Sequence, residues 1–192
     1  MREGVYLRIV NVMSYVDVTG HGPYGTASMS GLGSGMILAI GGNPARGLVL
    51  AGTLQAFTIE STLTGGPFED ATLTLDDESI DASTRATAAF SQLGALVDWY
   101  PDPAAGWHAG LSAGLGLTSL VIHADASQMF GTGAAGTLFG GYDWAIGPQW
   151  SLGIGLVASG NTTAKLMDTD GADTEYRLRA FSVGLAGSLL NF

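Results

Sequence analysis

The sequence predicts an all-β fold: a single domain over residues 1–192, built as an eight-stranded antiparallel up-and-down transmembrane β-barrel. Three observations carry that prediction. Eight short segments alternate apolar and small residues, in a chain with 30 Gly among 192 residues, 46% hydrophobic and only 12% charged residues. The connections between the segments are alternately long and short. All four tryptophans sit beside short connections, on the apolar parity of their strands. Disorder needs low hydrophobicity and high charge, so this composition argues against it. Gly at this density weakens helices throughout. No run reaches the roughly 18 apolar residues of a membrane helix; the nearest, Ala109 to Ile122, is broken repeatedly by Gly. A net charge of -10 repels nucleic-acid backbones and makes nucleic acid an unfit partner. Cysteine is absent, which removes disulfides, thiolate metal sites and cysteine nucleophiles.

The predicted strands, in order, are Val5–Val16, Ser28–Ile40, Leu48–Ile59, Arg85–Trp99, Trp107–Ile122, Ala134–Ala145, Trp150–Ser159 and Glu175–Phe192. The first alternates poorly and carries Arg8 near its start. In the second, Gly33-Ser34-Gly35 lies mid-strand, where Gly and Ser fill space. The third and fourth carry Gln55, Gln92 and Asp98 on the small, polar parity. The fifth alternates most clearly. Trp107, Ala109, Leu111, Ala113, Leu115, Leu117, Ser119 and Val121 form one face; His108, Gly110, Ser112, Gly114, Gly116 and Thr118 form the other. The seventh repeats this, with Trp150, Leu152, Ile154 and Leu156 against Ser151, Gly153 and Gly155. A soluble barrel would point the apolar face inward and dress the outside with Lys and Glu. A face of Gly, Ser and Thr instead suits the crowded lumen of a narrow barrel whose apolar face meets lipid.

Three connections are short and contain Pro: Gly41–Gly47, Tyr100–Gly106 and Ile146–Gln149. Four are long: Asp17–Ala27, Glu60–Thr84, His123–Gly133 and Gly160–Thr174. Every odd connection is long, so one end of the barrel carries all the loops and the other carries both termini. Trp99, Trp107, Trp144 and Trp150, joined by Tyr142 and Phe192, form the expected interface belt at the short-turn end, because their rings are apolar and their N–H and O–H groups want water. Of 17 acidic residues, 13 fall in or beside the long connections, which keeps charge out of the lipid-facing band.

In this pattern the chain resembles the eight-stranded outer-membrane barrels of Gram-negative bacteria, of the OmpA/OmpX/OmpW type. The resemblance covers the whole chain and is most specific at the last strand, where Gly187, Leu190 and Phe192 match the terminal signal that the barrel-assembly machinery reads. Ala186 stands where a polar residue is expected. Phe181, Val183, Leu185 and Leu189 lie on the parity opposite to Phe192, which requires either a partly apolar lumen or a bulge that shifts the phase. The resemblance implies a bacterial outer-membrane location, with termini in the periplasm and acidic loops outside. Outer-membrane lipid, lipopolysaccharide and the assembly machinery are the implied partners. No signal peptide is visible at Met1-Arg2-Glu3-Gly4, so an exported chain would have been trimmed and given a new start Met.

Candidate chemistry is sparse. Gln55, Gln92, Asp98, His108, Asp143, Arg177 and Arg179 share lumen parity, with Arg8 expected to join them. A buried charge needs a partner, so Arg8 is expected to pair with Asp98 or Asp143 near the periplasmic end, and Arg177 and Arg179 to complete a lumen ion cluster at the loop end. Such a cluster would plug the lumen or, less in keeping with eight strands, gate it. His123, Asp125 and Ser127 have the residue types of a lipid esterase, but at a loop edge. Asp168, Asp170, Asp173 and Glu175 alternate around Gly171 and are the candidate oxygen ligands for a divalent cation, without the spacing of a twelve-residue calcium loop. No cofactor is expected. The leading function is non-enzymatic, structural or surface-binding through acidic loops. A narrow pore or transporter for small, including apolar, molecules is the alternative. A membrane-embedded lipid-modifying enzyme and a soluble lipocalin-like carrier are weaker readings.

Overall fold

The structure, a computed structural model, describes residues 5–22, 25–65, 72–75, 78–81, 84–123, 128–168 and 177–191. Among these residues ten strands follow one another: β1 (Val5–Gly22), β2 (Gly25–Ala45), β3 (Leu48–Leu63), β4 (Thr72–Leu75), β5 (Glu78–Asp81), β6 (Thr84–Trp99), β7 (Trp107–Ile122), β8 (Gln128–Ala145), β9 (Trp150–Asp168) and β10 (Arg177–Asn191). Eight close into an antiparallel barrel in the order β1-β10-β9-β8-β7-β6-β3-β2, while β4 and β5 form a separate hairpin within the second long connection. The closing seam joins the two ends of the chain, from Leu7↔Asn191 to His21↔Arg177.

The strands run further than the hydropathy pattern marks. The expected long connection Asp17–Ala27 is mostly β-ladder, since β1 and β2 stay paired to Gly22↔Gly25. β8 begins at Gln128 rather than Ala134, and β9 continues past Ser159 to Asp168. β2 likewise runs through Asn43-Pro44 to Ala45, with a register irregularity after Gly42. The reason is physical. Alternating hydropathy reports which part of a strand meets lipid, whereas the hydrogen-bond ladder continues wherever both edges are present.

Outward faces carry Leu32, Leu93, Leu111, Leu115, Leu138, Ile154, Leu156 and Leu185, all exposed. On β1 the outward run from Val5 to Tyr15, apolar except for Asn11, gives way to Asp17, Thr19 and His21. Those eleven residues match the roughly 9–11 that a tilted strand needs to cross a bilayer core. Inward faces carry small residues beside occasional large ones. Gly35 faces Phe57 and Gly110 faces Phe139 across their ladders, and a Cβ on either glycine would collide with the ring.

The lumen is filled in layers. At the loop end, Val16, Val18, Met29, Ile59, Phe90, Leu120, Leu166 and Leu178 belong to one apolar cluster. Below it, Thr163 Oγ1 donates to Thr118 Oγ1 at 2.9 Å. At mid-height, Gln55 Nε2 donates to Ser112 Oγ at 2.6 Å, Gln92 Nε2 donates to the same oxygen at 3.1 Å, and Thr137 Oγ1 donates to Gln55 Oε1 at 2.8 Å. A second apolar layer contains Val10, Val12, Ile37, Phe57 and Val157. The turn end holds Tyr6, Val49, Leu96, Tyr100 and Leu190 together with the charged residues of the lumen.

Candidate functional site

Five strands deliver polar or charged side chains to one point near the short turns. Arg8 comes from β1, Asp98 from the end of β6, His108 from the start of β7, Asp143 from β8 and Ser188 from β10. β9 contributes Gly153, which pairs with both Asp143 and Ser188; a Cβ there would strike the Asp143 carboxylate and the Ser188 hydroxyl. The glycine therefore makes the space that the charged hub occupies.

Arg8 is the centre. Its Nη1 lies 2.8 Å from Asp98 Oδ2 and its Nη2 lies 2.8 Å from Asp143 Oδ1. Nη2 also donates to Ser188 Oγ at 3.1 Å and lies 2.9 Å from His108 Nε2. His108 Nδ1 lies 2.9 Å from Asp98 Oδ1. These distances fit the tautomer with its proton on Nδ1, donating to Asp98, while the Nε2 lone pair accepts from Arg8. Tyr100 OH donates to Asp143 Oδ2 at 2.7 Å, and Tyr6 OH donates to Asp98 Oδ2 at 3.3 Å. Every oxygen of both carboxylates thus receives a donor. The Tyr100 ring stacks on His108, with centroids 5.0 Å apart at 23°. Arg8, Asp98, His108 and Asp143 are all buried.

Such a cluster has little freedom to react. The guanidinium and both carboxylates are held by one another and by hydroxyl donors, and a charge this deep is stable only while its partners stay in place. Cavities beside it are small. One, of ≈ 30 Å³, lies between the cluster and Gln55; another of ≈ 30 Å³ lies between Gln55 and Asn161. Each has room for a water molecule or two.

The structure brings Arg8 to Asp98 and Asp143 together. It adds His108, which the sequence places on lumen parity but not in the ion cluster, and Tyr6, Tyr100 and Ser188, which the sequence does not group with them. The signal for two of these was parity: Tyr6 has the parity of Arg8, and Tyr100 has that of Asp98 although it lies past the strand end. Arg177 and Arg179 do not join. Both face outward and are exposed, with the buried Leu178 between them. The ladders of β10 with β1 and β9 run without a register shift, so no bulge resolves the phase of the last strand. Instead Phe181, Val183 and Leu185 face lipid, Leu190 points inward and is fully buried, and the lumen is partly apolar. The two arginines are tolerated outside because they stand beyond Phe181, above the apolar band.

The remaining candidates lie apart. Trp99, Trp107, Trp144 and Trp150 are exposed at the short-turn end, and Tyr142 packs edge-on against Trp107, with centroids 5.0 Å apart, and at a tilt against Trp144 at 4.9 Å. Of the terminal signal, Gly187 faces outward with open space around it and Leu190 faces the lumen, while Phe192 lies outside the described residues. His123 is exposed, with Nε2 3.0 Å from Thr87 Oγ1; Asp125 and Ser127 lie outside the described residues. Asp168 ends β9, and Asp170, Asp173 and Glu175 lie outside the described residues.

A closed eight-stranded barrel with an apolar outside, a filled lumen and tryptophans at its turns has the fold of the outer-membrane β-barrel proteins. One solved structure supports that fold, and two more align over most of the chain. The outer membrane protease OmpT from Escherichia coli is similar over 100% of this chain and 99% of its own, with a TM-score of 0.56 and 7% identity. Neisserial surface protein A aligns over 97% of this chain and 98% of its own at 14% identity, with a TM-score of 0.45. Ail, the attachment invasion locus protein of Yersinia pestis, aligns over 97% and 99% at 10% identity, with a TM-score of 0.44. No protein-family model matches the chain, and no curated protein matches it in sequence.

Proposed function

We propose that this protein is a non-conducting, non-enzymatic barrel of the bacterial outer membrane, which acts through its structure and through the acidic surface of its long connections. The observation that carries this reading is the Arg8 cluster, which crosses the lumen from β1 to β6, β7, β8 and β10 with both carboxylates fully engaged. A solute would have to break that cluster, then the Gln55 layer, then the apolar layer at the loop end. A pore or transporter is the alternative, and it requires these layers to open.

Single-channel recording in a planar bilayer tests the two readings. The refolded protein is expected to give no defined conductance steps over a range of voltages. Reproducible open states of uniform size would establish the pore instead. For the enzymatic alternative, alanine at His123 and Ser127 is expected to leave any lipid-processing activity of the preparation unchanged; a parallel loss in both variants would reverse that assignment.

A further inference from the structure

The outward face of β1 is interrupted at one position. Asn11 stands in the middle of the run from Val5 to Tyr15, with Val5, Leu7 and Ile9 on its turn side and Met13 and Tyr15 on its loop side, and it is exposed. That run spans the bilayer core, so the Asn11 amide is set in hydrocarbon, where a polar group without a partner is costly. Two outward polar groups on other strands turn back to the main chain: Thr162 Oγ1 donates to Ala134 O at 3.3 Å, and Asn191 Nδ2 donates to Gln149 O at 3.4 Å. Asn11 makes no such bond; among the described residues its amide has no hydrogen-bond partner.

The two flanks of Asn11 differ in shape. Its ladder partners are Met36 on β2 and Gly187 on β10, and Gly187 pairs in turn with Ile154 on β9. A Cβ on Gly187 would meet nothing within 4 Å, so the wall is recessed there. On the other flank, β2 presents Met36 and Ile40, both more than half exposed. The amide therefore stands between a hollow and an apolar ridge.

We propose that this face of β1, β2 and β10 docks a second copy of the chain, with the two Asn11 amides hydrogen-bonded to each other at its centre. A carboxamide carries an acceptor oxygen and two N–H donors, so one amide satisfies another reciprocally. Copies inserted the same way round are related by a two-fold axis along the membrane normal, which keeps every residue at its own height. Asn11 of one copy then meets Asn11 of the other, whereas an acyl chain offers nothing polar at that depth. The same axis, passing beside β1, sets β10 of each copy against β2 of the other, hollow against ridge on both sides. Small residues let two membrane segments approach closely, and methionine adapts to fill irregular space. The pairing uses the lipid-facing wall alone and does not depend on whether the lumen conducts.

The test is energy transfer between dye-labelled barrels refolded into phosphatidylcholine vesicles. The chain lacks cysteine, so Gly147→Cys, in the short turn after β8 where a new side chain meets nothing within 4 Å, carries the donor or acceptor dye. Transfer above the level of randomly placed barrels is expected, falling as lipid is added. Asn11→Leu is expected to weaken association about tenfold, the scale of two side-chain hydrogen bonds between membrane segments. Asn11→Gln, which keeps the amide, is expected to retain most of it. Gly187→Leu, which fills the hollow, is expected to weaken association at least as much as Asn11→Leu. Leu115→Ala, on β7 at the opposite wall of the barrel, is expected to change nothing. The heat-dependent gel shift confirms that each variant is folded. Transfer at the random level at every lipid ratio would mean that lipid alone covers this face. Transfer undiminished by Asn11→Leu, or reduced equally by Leu115→Ala, would mean association through another surface. Each of these results would overturn the proposal.

Discussion

Arg8 shows how much of this protein rests on one residue. Its guanidinium is the sole cationic side chain among the described lumen residues, and two buried carboxylates depend on it. Arg8→Ala should cost about 3–5 kcal/mol, because it leaves both Asp98 and Asp143 uncompensated. Arg8→Met combined with Asp98→Asn and Asp143→Asn removes the charges together and should recover most of that loss. Urea unfolding in lipid vesicles, followed by tryptophan fluorescence, measures both. An Arg8→Ala midpoint equal to that of wild type would mean the carboxylates are not charged partners of Arg8. The acid–base half of this cluster was legible in the sequence because a buried basic residue must find an acid. The tyrosines and Ser188 were not legible, since hydroxyl-bearing residues occur at many other positions and only the closed barrel selects which reach Arg8.

At the scale of strands, the β6–β7 seam depends on close backbone approach. Gly94 and Gly114 face each other across the ladder with inward parity, and a Cβ on either would meet the main chain of the partner strand. Gly114→Val should therefore destabilise the barrel by about 1–3 kcal/mol, as overpacking does elsewhere. Gly187→Ala on β10, where the same atom finds open space, should stay within about 0.5 kcal/mol. Equal midpoints for the two variants in the same vesicle assay would contradict this difference. Strand number, order of connections and the inward parity of β6 to β9 were readable from alternation, because there one face is small and the other apolar. β1 and β10 were harder to read. Val10, Val12, Val16 and Leu190 face the lumen while Met13, Tyr15, Phe181 and Leu185 face lipid, so both faces are apolar and hydropathy loses its period. For the same reason the parity of Phe192 puts Arg177 and Arg179 inside, whereas the paired ladder puts them outside.

For the molecule as a whole, the decisive property is which way the apolar side chains point. Leu32, Leu115, Met13 and Leu185 are more than half exposed, and they belong to a band that encircles the barrel between the tryptophans and the polar outer rim. A soluble monomer rarely carries a continuous apolar patch above a few hundred Å². The band should therefore be covered by detergent or lipid at all times, while the β1–β10 seam keeps the chain a closed cylinder. Folded protein in mild detergent should run on a gel at one position unheated and at another after boiling, because heating opens the seam and lets the detergent coat an extended chain. Removing detergent should precipitate the unheated form. If the protein instead stayed monodisperse in plain buffer, the exposed leucines would have to be buried by some other arrangement, and the filled lumen would have to be reread as a soluble core. An identical mobility before and after heating, with detergent dependence retained, would point to a weak closing seam. A disulfide clamp would then discriminate: cysteines at Val12 and Ala186, paired across that seam with inward parity, should restore the shift only if β1 and β10 are neighbours in the membrane.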